Sequence, residues 1–267
     1  MFTATVMLAT VSSLIYFYTT YMLWKRFDTE NASIQWSRPK FLTLIVIAAT
    51  FQFLSFAGSL YSHGMILFSF GTSLSLISWL AVLSLLATNL NNTTENLGIF
   101  IFPIGGITAV MPFISSEIHP LPTELGSHVL ISVSAYSIMG LATAQAILYS
   151  AQEKRFRKKE LTTLFRNLPP LQVMEKILVQ LVITGFVLLT FALLSGAFFM
   201  EDMFAQHLIH KTFFAILAWL TYGVFLIGHF RFGWRGQKAA YYTIWAYFLL
   251  ILSYIGTEIV LINLRGY

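Results

Sequence analysis

Apolar residues run along this chain in long blocks separated by short polar segments. Eight blocks stand out, at about Thr3–Trp24, Phe41–Tyr61, Met65–Ala87, Leu97–Ile114, Val129–Ser150, Ile177–Met200, Thr212–Gly228 and Tyr242–Ile262. Each is near the length a helix needs to cross the hydrocarbon of a bilayer. The pattern predicts an all-α, polytopic transmembrane bundle forming a single membrane domain over 1–267. The fourth block is the shortest and holds Pro103, Gly105, Gly106 and Pro112. A kinked or partly re-entrant span is expected there, because helix breakers at membrane depth need neighbours to satisfy the backbone.

Composition agrees. Of 267 residues, 57% are hydrophobic and 10% charged, whereas a soluble domain carries about a quarter charged residues. The first block lacks a basic leader and a small-residue cleavage site, so it is expected to be a retained helix. With no cysteine, the chain cannot form disulfides, iron–sulfur clusters, thiolate ligands or a covalent cofactor link of its own.

The net charge of +5 acquires meaning from position. Fourteen of the 16 basic residues fall in three segments, Lys25–Lys40, Ala151–Lys176 and Phe230–Lys238. With eight spans, all three lie on one side of the membrane. Lysine and arginine favour the cytoplasmic face, so both termini are expected outside. The charge is an orientation signature and not a nucleic-acid footprint. The basic segment Ala151–Lys176 can also attract anionic lipid headgroups, but a solvated loop that signals topology is the better account of it.

On this topology His63, His119, His128, His207 and His210 fall at the outer surface, and His229 alone at the inner end of the seventh block. Interfacial wet histidines are the plain reading for His63 and His119. His207 and His210 share a helix face by spacing and imidazole is a common metal ligand, yet no HExxH or acidic box accompanies them. His128 opens the fifth block, and Ser132 and Tyr136 continue its face; such a polar stripe is expected to face protein or a cavity. His229 is followed by a basic Gly-Trp-Arg-Gly turn. His210 and His229 are 19 residues apart, about 28 Å along a helix, so one cofactor cannot be held by an outer histidine and His229 together. Glu258, enclosed in the eighth block, is a further functional candidate.

Two stretches carry a family resemblance. SHVLISVSAYSIMGLATAQAIL and HKTFFAILAWLTYGVFLIGHFRFGWRGQKAA, with Ser253-Tyr254-Ile255-Gly256 in the last block, resemble the cytochrome c assembly proteins of the CcsA, CcmC and HemX-like group, best from His128 onward. The resemblance implies a multi-pass protein of the bacterial inner membrane that binds or handles haem. It makes His128 the outer haem-iron ligand, His229 the intramembrane one, and Lys211 the lysine that follows the haem-presenting segment. That segment is tryptophan-rich in the synthases; here it reads FFMEDMFAQHLIHK, and no histidine follows the last block. His210 or His207 is then the candidate partner of His128. The expectation is a non-catalytic haem-binding protein whose partners are haem, the bilayer and other membrane assembly or transport subunits. A transport or transport-accessory protein for divalent cations, using the outer acids and histidines with Glu258, is the alternative, and a haem-free scaffold is a third.

Overall fold

The structure, a computed structural model, describes residues 2–28, 37–62, 65–91, 95–114, 119–159, 168–199 and 209–265. The helices are α1 (Phe2–Asp28), α2 (Arg38–Leu60), α3 (Phe70–Asn91), α4 (Gly98–Ala109), α5 (Thr123–Lys158), α6 (Leu171–Phe199), α7 (Ile209–Phe232) and α8 (Gln237–Arg265). Short 3-10 turns, Glu95–Leu97 and Met111–Phe113, flank α4. Seven helical stretches among the described residues are long and apolar enough to span a membrane, from Ala4–Lys25 to Thr212–Phe232. The eighth expected span lies on α8, whose side chains are described as far as Ser253. The polar–apolar arrangement is that of a membrane protein. Gln52, Ser12, Ser55, Ser75 and Thr243 are buried while Leu14, Phe100, Ile104, Leu220 and Ile227 are exposed.

The chain divides into two compact units, Met1–Ser127 with Lys159–Pro170, and His128–Lys158 with Leu171–Tyr267. In the first, α1 packs on α2 and α4, and α3 packs on α2 and α4. Small residues let the backbones approach. Ser13 donates to the Gly106 carbonyl at 2.7 Å and Ser12 to that of Ala48 at 2.8 Å. Tyr16 stacks on Phe102 with ring centroids 6.0 Å apart. Buried Gln52 accepts from the Tyr16 hydroxyl at 3.0 Å and donates to the Ser75 and Ser78 hydroxyls at 3.1 and 3.0 Å. Its amide is thereby satisfied from α1 and α3 at once, as burial away from water requires. At one end of the unit Arg38 Nε lies 2.7 Å from buried Glu95, and its Nη2 donates to the Asn89 carbonyl at 2.8 Å.

Two details differ from the reading of the hydrophobic pattern, while the fourth block forms a span-length stretch, Glu95–Phe113, as expected. The start of the third expected span is a strand. Met65–Phe68 (β2) pairs antiparallel with Tyr61–Ser62 (β1) and with His119–Pro122 (β3) in the register Met65↔Pro122 to Phe68↔His119. A four-residue apolar run suits strand and helix equally, and Ser69 starts α3 by a reciprocal cap: the Thr72 N–H donates to Ser69 Oγ at 3.1 Å and the Ser69 N–H to Thr72 Oγ1 at 2.8 Å. The fourth span is α4 with Pro103 inside it and a 3-10 turn after it. The second difference is that much of the basic segment expected as loop is helix. α5 runs 36 residues, carrying Lys154, Arg155, Arg157 and Lys158 on its last turns, where cations suit the helix C-terminus.

In the second unit α6 and α7 run antiparallel. The Phe186 ring of α6 lies 3.7 Å from where a Gly223 Cβ would stand and stacks on Trp219 of α7, centroids 5.4 Å apart, and Trp219 Nε1 donates to Thr190 at 2.9 Å. The α7–α8 hairpin packs along its length, and α5 joins through Gln145, which donates to the Met174 carbonyl of α6 at 3.1 Å.

Candidate functional site

His128 lies half-buried near the start of α5, against the last turns of α6. Its Nδ1 is 2.9 Å from Ser195 Oγ. Next along α6 is Gly196, where a Cβ would stand 3.1 Å from the His128 ring carbon Cε1. A larger residue there would push the imidazole, so the glycine leaves the room the ring occupies.

His229 lies half-buried on the last turn of α7. Its Nδ1 is 2.8 Å from the Trp234 carbonyl. A carbonyl only accepts, so Nδ1 carries a proton and donates it. The carbonyl comes back to the histidine because the chain reverses. Gly233 and Gly236 have φ of 64° and 66°, a conformation that glycine adopts without steric cost. The Trp234 N–H returns to the Gly228 carbonyl at 3.1 Å, and the Trp234 ring lies directly on Gly228. The ring stacks on Tyr242 with centroids 4.9 Å apart, and Lys238 Nζ sits 5.8 Å from its centre. The Gly-Trp-Arg-Gly motif is thus a chain reversal that presents one carbonyl to His229.

A polar cluster locks that reversal to α5. Gln237, the first residue of α8, donates to Glu153 Oε2 at 2.8 Å and accepts from the Ser150 hydroxyl at 2.8 Å. Buried Glu153 also faces Arg157 Nη2 at 2.8 Å. Between the two histidine ends runs a seam of hydroxyls: Tyr136 faces Ser253, Tyr222 faces Thr143, and the Tyr222 hydroxyl donates to the Thr243 carbonyl at 3.5 Å.

The two histidines belong to different levels. Trp219 meets Thr190, His229 lies ten residues beyond Trp219, and Ser195 lies five beyond Thr190 on the antiparallel helix. At the helical rise the levels are about 22 Å apart. One ligand cannot touch both.

A family model described as cytochrome C assembly protein matches residues 4–264. The chain belongs to the cytochrome c assembly protein family. Inner membrane protein YpjD of Escherichia coli K12 is 31% identical over 133 residues, 50% of each chain. An uncharacterized 28.8 kDa protein of Azospirillum brasilense is 30% identical over 141 residues, 52% of each chain. Cytochrome c biogenesis protein CcsA of Prochlorococcus marinus is 33% identical over 85 residues, 31% of this chain and 27% of that one. The chain matches about half the length of the first two relatives and less of the third. No solved structure matches significantly.

For this cytochrome c assembly protein, the structure places two of the expected site residues in full, His128 and His229, both in the second unit and at separate levels. His210 and Lys211 are on α7, Glu258 on α8 and His119 on β3, with side chains outside the described residues; His207 and His63 lie outside them altogether. The stripe expected on α5 turns inward at Tyr136, which meets Ser253. Among the described residues no group of three or more His, Asp and Glu is disposed to hold a metal ion. The sequence reading missed Ser195 and Gly196, which look like ordinary small residues in an apolar helix, and Glu153 and Gln237, hidden among basic residues. Glu153 stands four residues before Arg157, the spacing of an ion pair on one helix face, and that spacing could have marked it.

Proposed function

We propose that this protein is a multi-pass, non-catalytic haem-binding or haem-handling protein of the bacterial inner membrane, with both termini outside and His128 at the outer face. His128 is the principal iron ligand, His210 or His207 is its partner, and His229 forms a second, inner imidazole site. Membership of the cytochrome c assembly family supports the ligand class. The observation that carries the assignment is the anchoring of both imidazoles through Nδ1, on Ser195 and on the Trp234 carbonyl. Metal-bound histidine commonly has its other ring nitrogen engaged by a hydrogen-bond partner, and in this reading Nε2 is the nitrogen turned to the iron. Gly196, whose Cβ would crowd the ring, also fits a histidine that must keep one orientation.

Bound haem would supply the iron; the chain supplies imidazoles held in orientation by Ser195 and by the Trp234 carbonyl. Other membrane assembly or transport subunits are the partners that receive or deliver the haem. The test is a haem titration of the purified protein in detergent. A Soret band displaced from that of free haem, lost or shifted in His128→Ala, and altered again in either His207→Ala or His210→Ala, is the expected result. Failure to take up haem at all would overturn the proposal.

A further inference from the structure

Ser195 Oγ makes two contacts. It donates to the Ala192 carbonyl at 3.0 Å, one turn back along α6, and it stands 2.9 Å from His128 Nδ1. A serine hydroxyl has one proton to give. The Ala192 carbonyl can only accept, so both contacts form together in one arrangement: Ser195 gives its proton to Ala192 and accepts one from His128 Nδ1–H. That places the proton of the neutral imidazole on Nδ1 and the lone pair on Nε2. The mirror arrangement, with Ser195 donating to Nδ1, gives up the Ala192 bond. Gly196 leaves the ring its place beside Ser195, since a Cβ there would stand 3.1 Å from Cε1.

We propose that Ser195 is a positioning residue that holds His128 in the Nδ1-protonated tautomer and so makes Nε2 its ligating atom. The proposal rests on the reading of His128 as a haem ligand. His229 provides an internal comparison. It has the same tautomer enforced by a backbone carbonyl, which no side-chain substitution removes.

The test uses the full chain in detergent, first without haem, with isotope-labelled histidine and the His128 ring signals assigned by their loss in His128→Ala. The wild-type protein is expected to show His128 protonated at Nδ1 and unprotonated at Nε2. Ser195→Ala should turn this into a mixture of tautomers, Ser195→Thr should keep it, and the His229 signals should stay unchanged as a control for folding. In a haem titration Ser195→Ala should weaken affinity about 10–100-fold, the usual effect of removing a hydrogen-bond partner of a ligating histidine, and Ser195→Thr should restore it. Wild-type His128 protonated at Nε2, or a Ser195→Ala protein with unchanged tautomer and unchanged haem affinity, would overturn the inference. The two failures are separable. If the wild-type protein takes up no haem, the ligand reading falls and the role of Ser195 toward iron falls with it, whatever the tautomer shows. If haem binds through His128 and Ser195→Ala changes nothing, only the role of Ser195 falls.

Discussion

Gly233 and Gly236 show what a motif means at the scale of single residues. No atom lies within 4 Å of where a Gly233 Cβ would stand, so its conservative replacement meets no neighbour, only an unfavourable φ. Gly233→Ala should therefore cost about 1–2 kcal/mol, the penalty of the left-handed conformation for a residue with a Cβ, read as a lower unfolding midpoint in detergent. Gly228→Ala acts differently. Its methyl group would enter the Trp234 ring, and overpacking of that kind costs about 1–3 kcal/mol. It should also shift the tryptophan fluorescence and loosen the Trp234 carbonyl from His229, whereas Gly233→Val at the open position should leave the ring stack on Tyr242 in place. The turn and the two histidines were legible in the sequence, because glycine, tryptophan and histidine are distinctive letters. Ser195 and Gly196 were not, because their role depends on which helix lies opposite, and a single strand of letters holds no such information.

At the scale of elements, polar side chains fix how the membrane helices meet. Gln52 ties α1, α2 and α3 through Tyr16, Ser75 and Ser78. Such bonds within a bilayer contribute modestly, because the separated helices find other partners. A cycle of Tyr16→Phe and Gln52→Leu should give a coupling of about 0.6–1.7 kcal/mol, measured by reversible unfolding in mixed detergent; zero coupling would show that the bond is incidental. The Arg38–Glu95 pair is a stronger joint. Glu95 is buried and Arg38 only partly so. Glu95→Gln should destabilise by about 1–3 kcal/mol, the cost of a weakened bond to a charged group whose other contact, to Asn89, survives. Element type was readable wherever an apolar block was long. It failed at Met65–Phe68, where four residues suit a strand as well as a helix and the partner strand lies more than fifty residues away at His119–Pro122. It failed again at the end of α5, where charge was read as loop although lysine and arginine are good helix formers at a C-terminus.

At the scale of the whole molecule, the all-α multi-pass architecture follows from hydropathy alone, since the bilayer admits few alternatives. Sidedness rests on the distribution of lysine and arginine. A reporter fused after Tyr267 should be active outside the cytoplasm and silent within it; cytoplasmic activity would overturn the expected orientation. The seven membrane-length helices among the described residues, with α8 completing the α7 hairpin, put His128 and His229 about 22 Å apart in level, so the protein offers two imidazole environments and not one shared site. The central claim is that the His128 imidazole ligates haem iron. It is tested most directly by the absorption spectrum of haem-loaded His128→Gly with and without added imidazole. The account predicts that the variant loses the wild-type Soret band and that free imidazole, filling the vacated position, restores it. A His128→Gly protein whose spectrum matches wild type without imidazole would contradict it.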